Sequence, residues 1–394
     1  MIWFGYNIIL LNLYSNLPMT IRSITIAVDS FKGSLTSAEV AEAFEQGFRR
    51  HYPTCEIRKV AIGDGGEGTV EALVATLGGE LVNVMASDPL HRPIKAHYGI
   101  LEGATAIIEM AAASGLTLLK PDERNPMLTS TYGTGELVAD AIHRGCRNIL
   151  VSIGGSATND CGVGMLQALG FRFLDSEGKV LQGCGEALTQ IATIDDSNAL
   201  SELRECTFTV ACDVDNPLYG ERGAVNIFAP QKGATAEMIE VLECGVRNFA
   251  RVVREFNGTE IGEMAGAGAA GGLGGGMVAL LGAKMERGID MVLNAIEFDK
   301  RIEGCDLVIT GEGRLDYQTV MGKAPSGVLR VARAQGIPTI AIGGGVAWCD
   351  ELRNSDFAKI YVVTPDDMPL EVAMQPEVAK ENLRNTAERI AQQL

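Results

Sequence analysis

Short apolar runs in this chain repeatedly end in turns rich in glycine and acidic residues and then give way to helix-like segments. That alternation limits the available folds more than any other feature. Residues 24–28 lead into DSFKGS (29–34) and then, through Thr36 and Glu39, into a segment whose apolar positions Val40, Ala43, Phe44 and Phe48 recur at helical spacing. Runs at 56–62, 148–153, 207–211 and 305–310 end in GDGGEG (63–68), GGSATND (154–160), CDVDNP (212–217) and GEGRLD (311–316), and further short strands fall at 337–342 and 359–363. Strands alternating with helices predict parallel α/β sheets, which bind ligands at the carboxyl ends of their strands, where each of these turns lies. Residues 80–109 break the pattern: short strands at 81–84, 94–98 and 105–108 follow one another without helices, as in an antiparallel meander.

At roughly 150 residues per domain, 394 residues make two or three lobes. The return to simple strand–helix punctuation after Gly288 predicts that one lobe is inserted into the other. Residues 19–79 and 289–394 would form a doubly wound parallel-sheet domain, interrupted at 80–288 by a second α/β domain. The first eighteen residues are apolar and uncharged but lack a basic n-region, and Asn and Pro interrupt them. They read as an extension outside the fold, with Met19 an ordinary start, rather than a signal or a spanning helix.

Charge narrows the function classes. Thirty-three Lys and Arg against 50 Asp and Glu give a net charge of −17, which repels phosphate backbones and anionic lipid, so neither nucleic acid nor membrane is an expected partner. Nine scattered cysteines without a CxxC pair read as reduced thiols of a cytoplasmic protein, and four histidines without HExxH or Cys/His ligand spacing argue against zinc. Any metal would be held by carboxylate oxygens.

The acidic turns carry the chemistry. Asp29 and Lys32, Asp64 and Glu67, Asp160, Asp213 and Asp215, and Glu312, Arg314 and Asp316 all stand at predicted strand ends. Phosphoryl transfer needs this mixture: carboxylates to hold Mg²⁺ and take a hydroxyl proton, and cations to neutralise the moving phosphoryl group. A single Asp in such a turn is more often a cap or an Asx-turn, and the argument rests on the set. Lys32 and Lys323 each precede a predicted helix start, a poor place for a cation unless an anion binds there. The Gly/Ala run at 266–276 feeds a helix-like segment and either presents N–H groups to an anion or lets backbones pack closely. A serine triad is disfavoured, because GGS at 154–156 is not GxSxG and no histidine sits in a strand-end turn.

DSFKGSL (29–35), DGGEGT (64–69), IEMAAASG (108–115), TYGTGEL (131–137), GGSATND (154–160), ACDVDNP (211–217), PQKGA (230–234), the 266–276 run and ITGEGRLD (309–316) occur in order. The set resembles the bacterial type I glycerate kinase family over residues 24–345. The resemblance implies a flavodoxin-like domain interrupted by a second α/β domain, and ATP-dependent phosphorylation of D-glycerate with Mg²⁺ to 2-phospho-D-glycerate in the cleft between the two domains. On that reading Asp64 or Asp316 is the base, and Lys32 and Arg314 neutralise the transferring group or clamp the substrate carboxylate. Asp213, Asp215, Glu312 and Asp160 are the metal candidates. Asp29, Ser30, Glu67, Ser156, Thr158, Asn159, Gly268, Gly271, Gly272 and Lys323 contact substrate or phosphate. Val28, Gly63, Cys161 and Tyr317 depart from the usual family residues, and the match weakens after Gly345. A kinase for another small hydroxy acid, formation of 3-phosphoglycerate, and a non-catalytic metabolite sensor are the alternatives. Self-association is left open.

Overall fold

The computed structural model describes residues 21–63 and 68–394, so the N-terminal extension, Asp64 and Glu67 lie outside the described residues. The chain divides into two compact units, the first formed by Met1–Val60, Asp299–Met321 and Val328–Leu394 and the second by Ala61–Phe298 and Gly322–Gly327.

The first unit is built on a five-stranded sheet of β1 (Ser23–Val28), β2 (Glu56–Ala61), β11 (Leu307–Leu315), β12 (Thr339–Val346) and β13 (Lys359–Val362). Its order is β13-β12-β11-β1-β2, and β1/β11, β11/β12 and β12/β13 are parallel. Counted within the unit, this is the flavodoxin-like order 2-1-3-4-5, whose direction of winding reverses between β1 and β11. Ile24, Ile26, Leu307, Ile309, Ile340 and Ile342 fill the sheet's core. Helix Ser37–Phe48 starts on a capping box: the Thr36 side chain accepts from the Glu39 N–H at 3.3 Å, and the Glu39 carboxylate accepts from the Thr36 N–H at 3.0 Å. Its buried stripe of Val40, Ala43, Phe44 and Phe48 faces the same core as Leu383, Ala387 and Ile390 of helix Pro376–Ala391.

The expected turn at 311–316 differs from what forms. β11 runs on through Leu315, and Glu312 and Arg314 pair in register with Gly343 and Gly345 of β12. Glycine punctuates turns, but here it lets two strands lie close, since a Cβ on Gly311 would stand 2.1 Å from the Ile342 carbonyl oxygen.

The second unit carries a six-stranded sheet of β3 (Glu80–Ser87), β4 (Pro93–Leu101), β5 (Thr105–Glu109), β6 (Asn148–Ser152), β9 (Thr207–Ala211) and β10 (Lys284–Glu286), with β7 (Arg172–Leu174) and β8 (Thr193–Asp195) forming a separate antiparallel ribbon. The order is β10-β9-β6-β5-β4-β3. The β10/β9, β9/β6 and β6/β5 pairs are parallel, while β5/β4 and β4/β3 are antiparallel, the meander that the missing helices predict. Helix Thr69–Leu77, which the sequence groups with the first lobe, lies in this unit, with Val70 and Val74 against Gly99 of β4. Among the described residues no helix is long and apolar enough to cross a membrane.

Gly47 sets the approach of the two helices in the first unit, because a Cβ there would stand 2.2 Å from the Arg384 carbonyl oxygen. Gly47→Ala forces backbone to move and is expected to cost about 1–3 kcal/mol. A lower guanidinium midpoint at unchanged slope checks this, and an unchanged midpoint contradicts it.

Candidate active site

In the first unit the turns after β1 and β11 meet at the point where the winding reverses, the place where open α/β sheets bind ligands. The Asp29 N–H donates to the Gly311 carbonyl at 2.9 Å, which ties the end of β1 to the middle of β11. The Asp29 carboxylate turns back to accept from the Ser30 N–H at 2.6 Å. Phe31 and Leu35 exchange backbone hydrogen bonds at 2.9 and 3.0 Å, closing a tight turn that carries Lys32 exposed at its tip and Gly33 at a left-handed φ of 78°.

On β11, Glu312 and Arg314 are two residues apart and therefore share one face of the pleat. Glu312 is nearly buried, and its Oε1 accepts from the Thr319 hydroxyl at 2.8 Å. Arg314 is 73% exposed, with Nε 3.9 Å from Asp316 Oδ2. Asp316 is a helix cap: its Oδ1 accepts from the Gln318 N–H at 2.9 Å, which leaves Oδ2 on the Arg314 side.

The second unit gathers the other group at the carboxyl ends of its parallel strands. After β6, the loop 154–162 runs past Ser156, Thr158, Asn159 and Asp160 to helix Val163–Ala168. Asp160 is fully buried and accepts four hydrogen bonds. Oδ2 accepts from the Thr131 N–H (2.9 Å), the Thr131 hydroxyl (2.8 Å) and the Gly164 N–H (3.1 Å), while Oδ1 accepts from the Gly162 N–H (3.2 Å). Burial pushes this carboxyl up, and the bonds from Thr131, Gly164 and Gly162 pull it down. Asp160, a metal candidate from sequence, holds the loop and the start of its helix.

The Gly/Ala run lies against this loop. A Cβ on Gly271 would stand 2.1 Å from the Thr158 carbonyl oxygen, one on Gly272 2.6 Å from Cys161 Sγ, and one on Gly268 2.2 Å from the Pro217 carbonyl oxygen. The Cys161 N–H donates to the Gly271 carbonyl at 3.0 Å. These glycines allow close backbone packing, the second of the two readings the sequence permits.

Asp213 Oδ1 accepts from the Gly288 N–H at 2.9 Å, at the start of helix Gly288–Ala295. Asp215 is exposed in an ion pair with Arg222 at 3.1 Å, which solvent screens. Lys323 immediately precedes helix Ala324–Ala334, and its carbonyl accepts from the Ser326 and Gly327 N–H groups. Among the described residues no three His, Cys, Asp or Glu side chains converge as a metal-binding group.

Two residues with no role assigned from sequence belong to the second group. Glu109, at the end of β5, accepts from the Val70 N–H at 3.0 Å, and burial raises its pKa. Lys232 is 1% exposed and donates from Nζ to Ser156 Oγ at 2.7 Å and to the Thr158 carbonyl at 2.6 Å. Thr158 Oγ1 and both amide atoms of Asn159 are buried without a hydrogen-bond partner among the described residues. The only sequence signal for Lys232 is its place in the PQKGA motif, because no neighbouring residue marks it as buried.

Burial pulls the Lys232 ammonium down to about 7, partly opposed by the Asp160 charge. The unfolded chain keeps that proton up to the ordinary lysine value of 10.5, so between about 7 and 10.5 the unfolded state binds more protons and stability rises with pH. Relative to Lys232→Met, the wild-type chain is therefore expected to gain stability between pH 7 and 9.5 in denaturant unfolding. A difference independent of pH contradicts this.

A model of the glycerate kinase family matches residues 24–394. The glycerate kinase of Bacillus subtilis is 46% identical over 370 residues, 93% of this chain and 96% of the relative. The glycerate 2-kinase of Escherichia coli is 45% identical over 324 residues, 82% of this chain and 85% of the relative. A crystal structure described as a glycerate kinase 2 from Salmonella typhimurium LT2 superposes with a TM-score of 0.87 at 42% identity, covering 95% of this chain and 100% of that one. With its strand-end turns carrying the family's ordered motifs and the match running through almost all of its length, the chain belongs to the glycerate kinase family and is an enzyme, a kinase.

Proposed function

We propose that the chain transfers the γ-phosphoryl group of ATP to the 2-hydroxyl of D-glycerate, releasing ADP and 2-phospho-D-glycerate. The observation that carries this reading is the cluster at the winding reversal of the first unit. There Lys32, Arg314, Glu312 and Asp316 bring cations and carboxylates to two adjoining strand ends. The glycerate 2-kinase of E. coli supports the choice of acceptor and position.

In an in-line displacement the acceptor oxygen forms a bond to the γ-phosphorus as the bond to the β-γ bridging oxygen breaks, and the hydroxyl proton must leave to a base. Asp316 has one oxygen held by the Gln318 N–H and the other facing Arg314, and that second oxygen can take the proton. Asp64, the other candidate, lies outside the described residues. Lys32 and Arg314, both exposed, can swing onto the transferring group or onto a carboxylate, a contact that strengthens as charge develops in the transition state.

The carboxylates fit a hard cation that arrives with nucleotide phosphates, which needs only one or two protein oxygens, and do not form an all-protein cage. Glu312 in the first unit, or Asp213 and Asp215 in the second, would hold Mg²⁺. Bound there, the ion would neutralise phosphate oxygen charge. Ser30, Asp29 and Lys323 remain candidates for substrate or phosphate contact on the same reading. Reaction in the cytoplasm suits a kinase that draws on ATP.

Phosphorus NMR of the chain with D-glycerate, ATP and Mg²⁺ tests the reaction and its position. A glycerate-dependent 2-phosphate resonance is expected. A 3-phosphate resonance would overturn the position, and the absence of any new resonance from folded protein would overturn the substrate. Lys32→Ala and Arg314→Ala should each lower kcat by about 10²–10³-fold with an unchanged melting temperature. Full activity in Arg314→Ala would remove that residue from the mechanism.

A further inference from the structure

Lys232 stands apart from the exposed cations of the first unit. It ends the 3₁₀ turn Pro230–Lys232, is followed by Gly233 at a φ of 94°, and reaches beneath the loop after β6. Placing an ammonium in a nearly dry site costs several kcal/mol unless its donors are met. The site meets two of the three N–H groups, with the Ser156 hydroxyl oxygen and the Thr158 carbonyl. The carboxylate that acts on it through charge, Asp160, already accepts from Thr131, Gly162 and Gly164.

Ser156 is the member of this group that keeps an edge at the surface, at 8% exposure, between the exposed Gly154 and Gly155 on one side and buried Ala157 on the other. Because Lys232 donates to its oxygen, the Ser156 proton is left to be donated elsewhere. Its complement is an anionic oxygen. The Thr158 hydroxyl and Asn159 amide, buried without a partner among the described residues, lie along the same loop and add polar capacity there.

We propose that Lys232 is a positioning residue for the phosphoryl transfer reaction: it locks Ser156 Oγ as an outward donor to an anionic oxygen of a bound substrate. The proposal rests on the kinase reading above. It does not fix whether that oxygen belongs to the carboxylate of the hydroxy acid or to a phosphate of the nucleotide, and the experiment separates the two. Lys232 touches no substrate in this arrangement and acts only through Ser156 and the loop.

Calorimetric titration of D-glycerate and of ATP, each alone, into the full chain and its variants tests the idea without requiring turnover. Ser156→Ala and Lys232→Met should each weaken one of the two ligands at least tenfold and leave the other within about twofold. Loss confined to glycerate assigns the carboxylate, and loss confined to ATP assigns the phosphate. The double variant should bind no more than about threefold worse than either single one, because both remove the same contact. Lys232→Gln, which keeps a donor without the charge, should recover at least threefold of the loss. If Lys232→Met does not fold, Lys232→Gln replaces it in the cycle. Unchanged affinity for both ligands in Ser156→Ala, or losses that multiply in the double variant, overturns the proposal. The wild-type phosphorus NMR spectrum judges the kinase reading separately, so the failure of one is distinguishable from the failure of the other.

Discussion

The burial of Asp160 is the constraint on which the second unit's site depends. A carboxylate removed from water is costly, and it is tolerated here because Thr131 supplies two donors and the first turn of helix Val163–Ala168 supplies two more. That knot joins the start of helix Tyr132–His143 to the loop after β6 and holds the loop in one conformation. The close packing of Gly271 and Gly272 presses the Gly/Ala run onto the same loop, and Lys232 enters from below. Loop shape, helix start and buried cation therefore stand or fall together.

The first unit solves a different problem by a simpler route. Its parallel sheet sets the end of β1 beside the middle of β11, where Val28 pairs with Gly311 and the winding reverses. Lys32 and Arg314 are exposed on that edge, whereas Lys232 of the second unit is buried and held by two hydrogen bonds.

Much of the fold is legible in the sequence because its signals are local. Hydroxyl caps such as Thr36, the stripe of Val40, Ala43, Phe44 and Phe48, and the helix-free stretch before Glu109 each report on a handful of neighbours, and each matches an element that forms. The motif residues Asp29, Lys32, Glu312 and Asp316 do reach adjoining strand ends, because parallel sheets place such turns together. Gly311 misleads as a turn residue, since whether a glycine breaks a strand or lets two strands approach depends on the partner strand.

By itself, then, the sequence determined the α/β alternation, the capped helices and the antiparallel stretch before Glu109. These follow from periodicity, capping and turn residues within a few positions. Only the tertiary structure decided that Asp160 is a buried loop holder, that Asp316 is a cap whose second oxygen faces Arg314, and that the Gly/Ala run packs backbones. It also brought Lys232 under Ser156 and Thr158, partners 76 and 74 residues away in the chain. Burial and long-range partnership belong to the packed chain, and a lysine read among its immediate neighbours carries no mark of either.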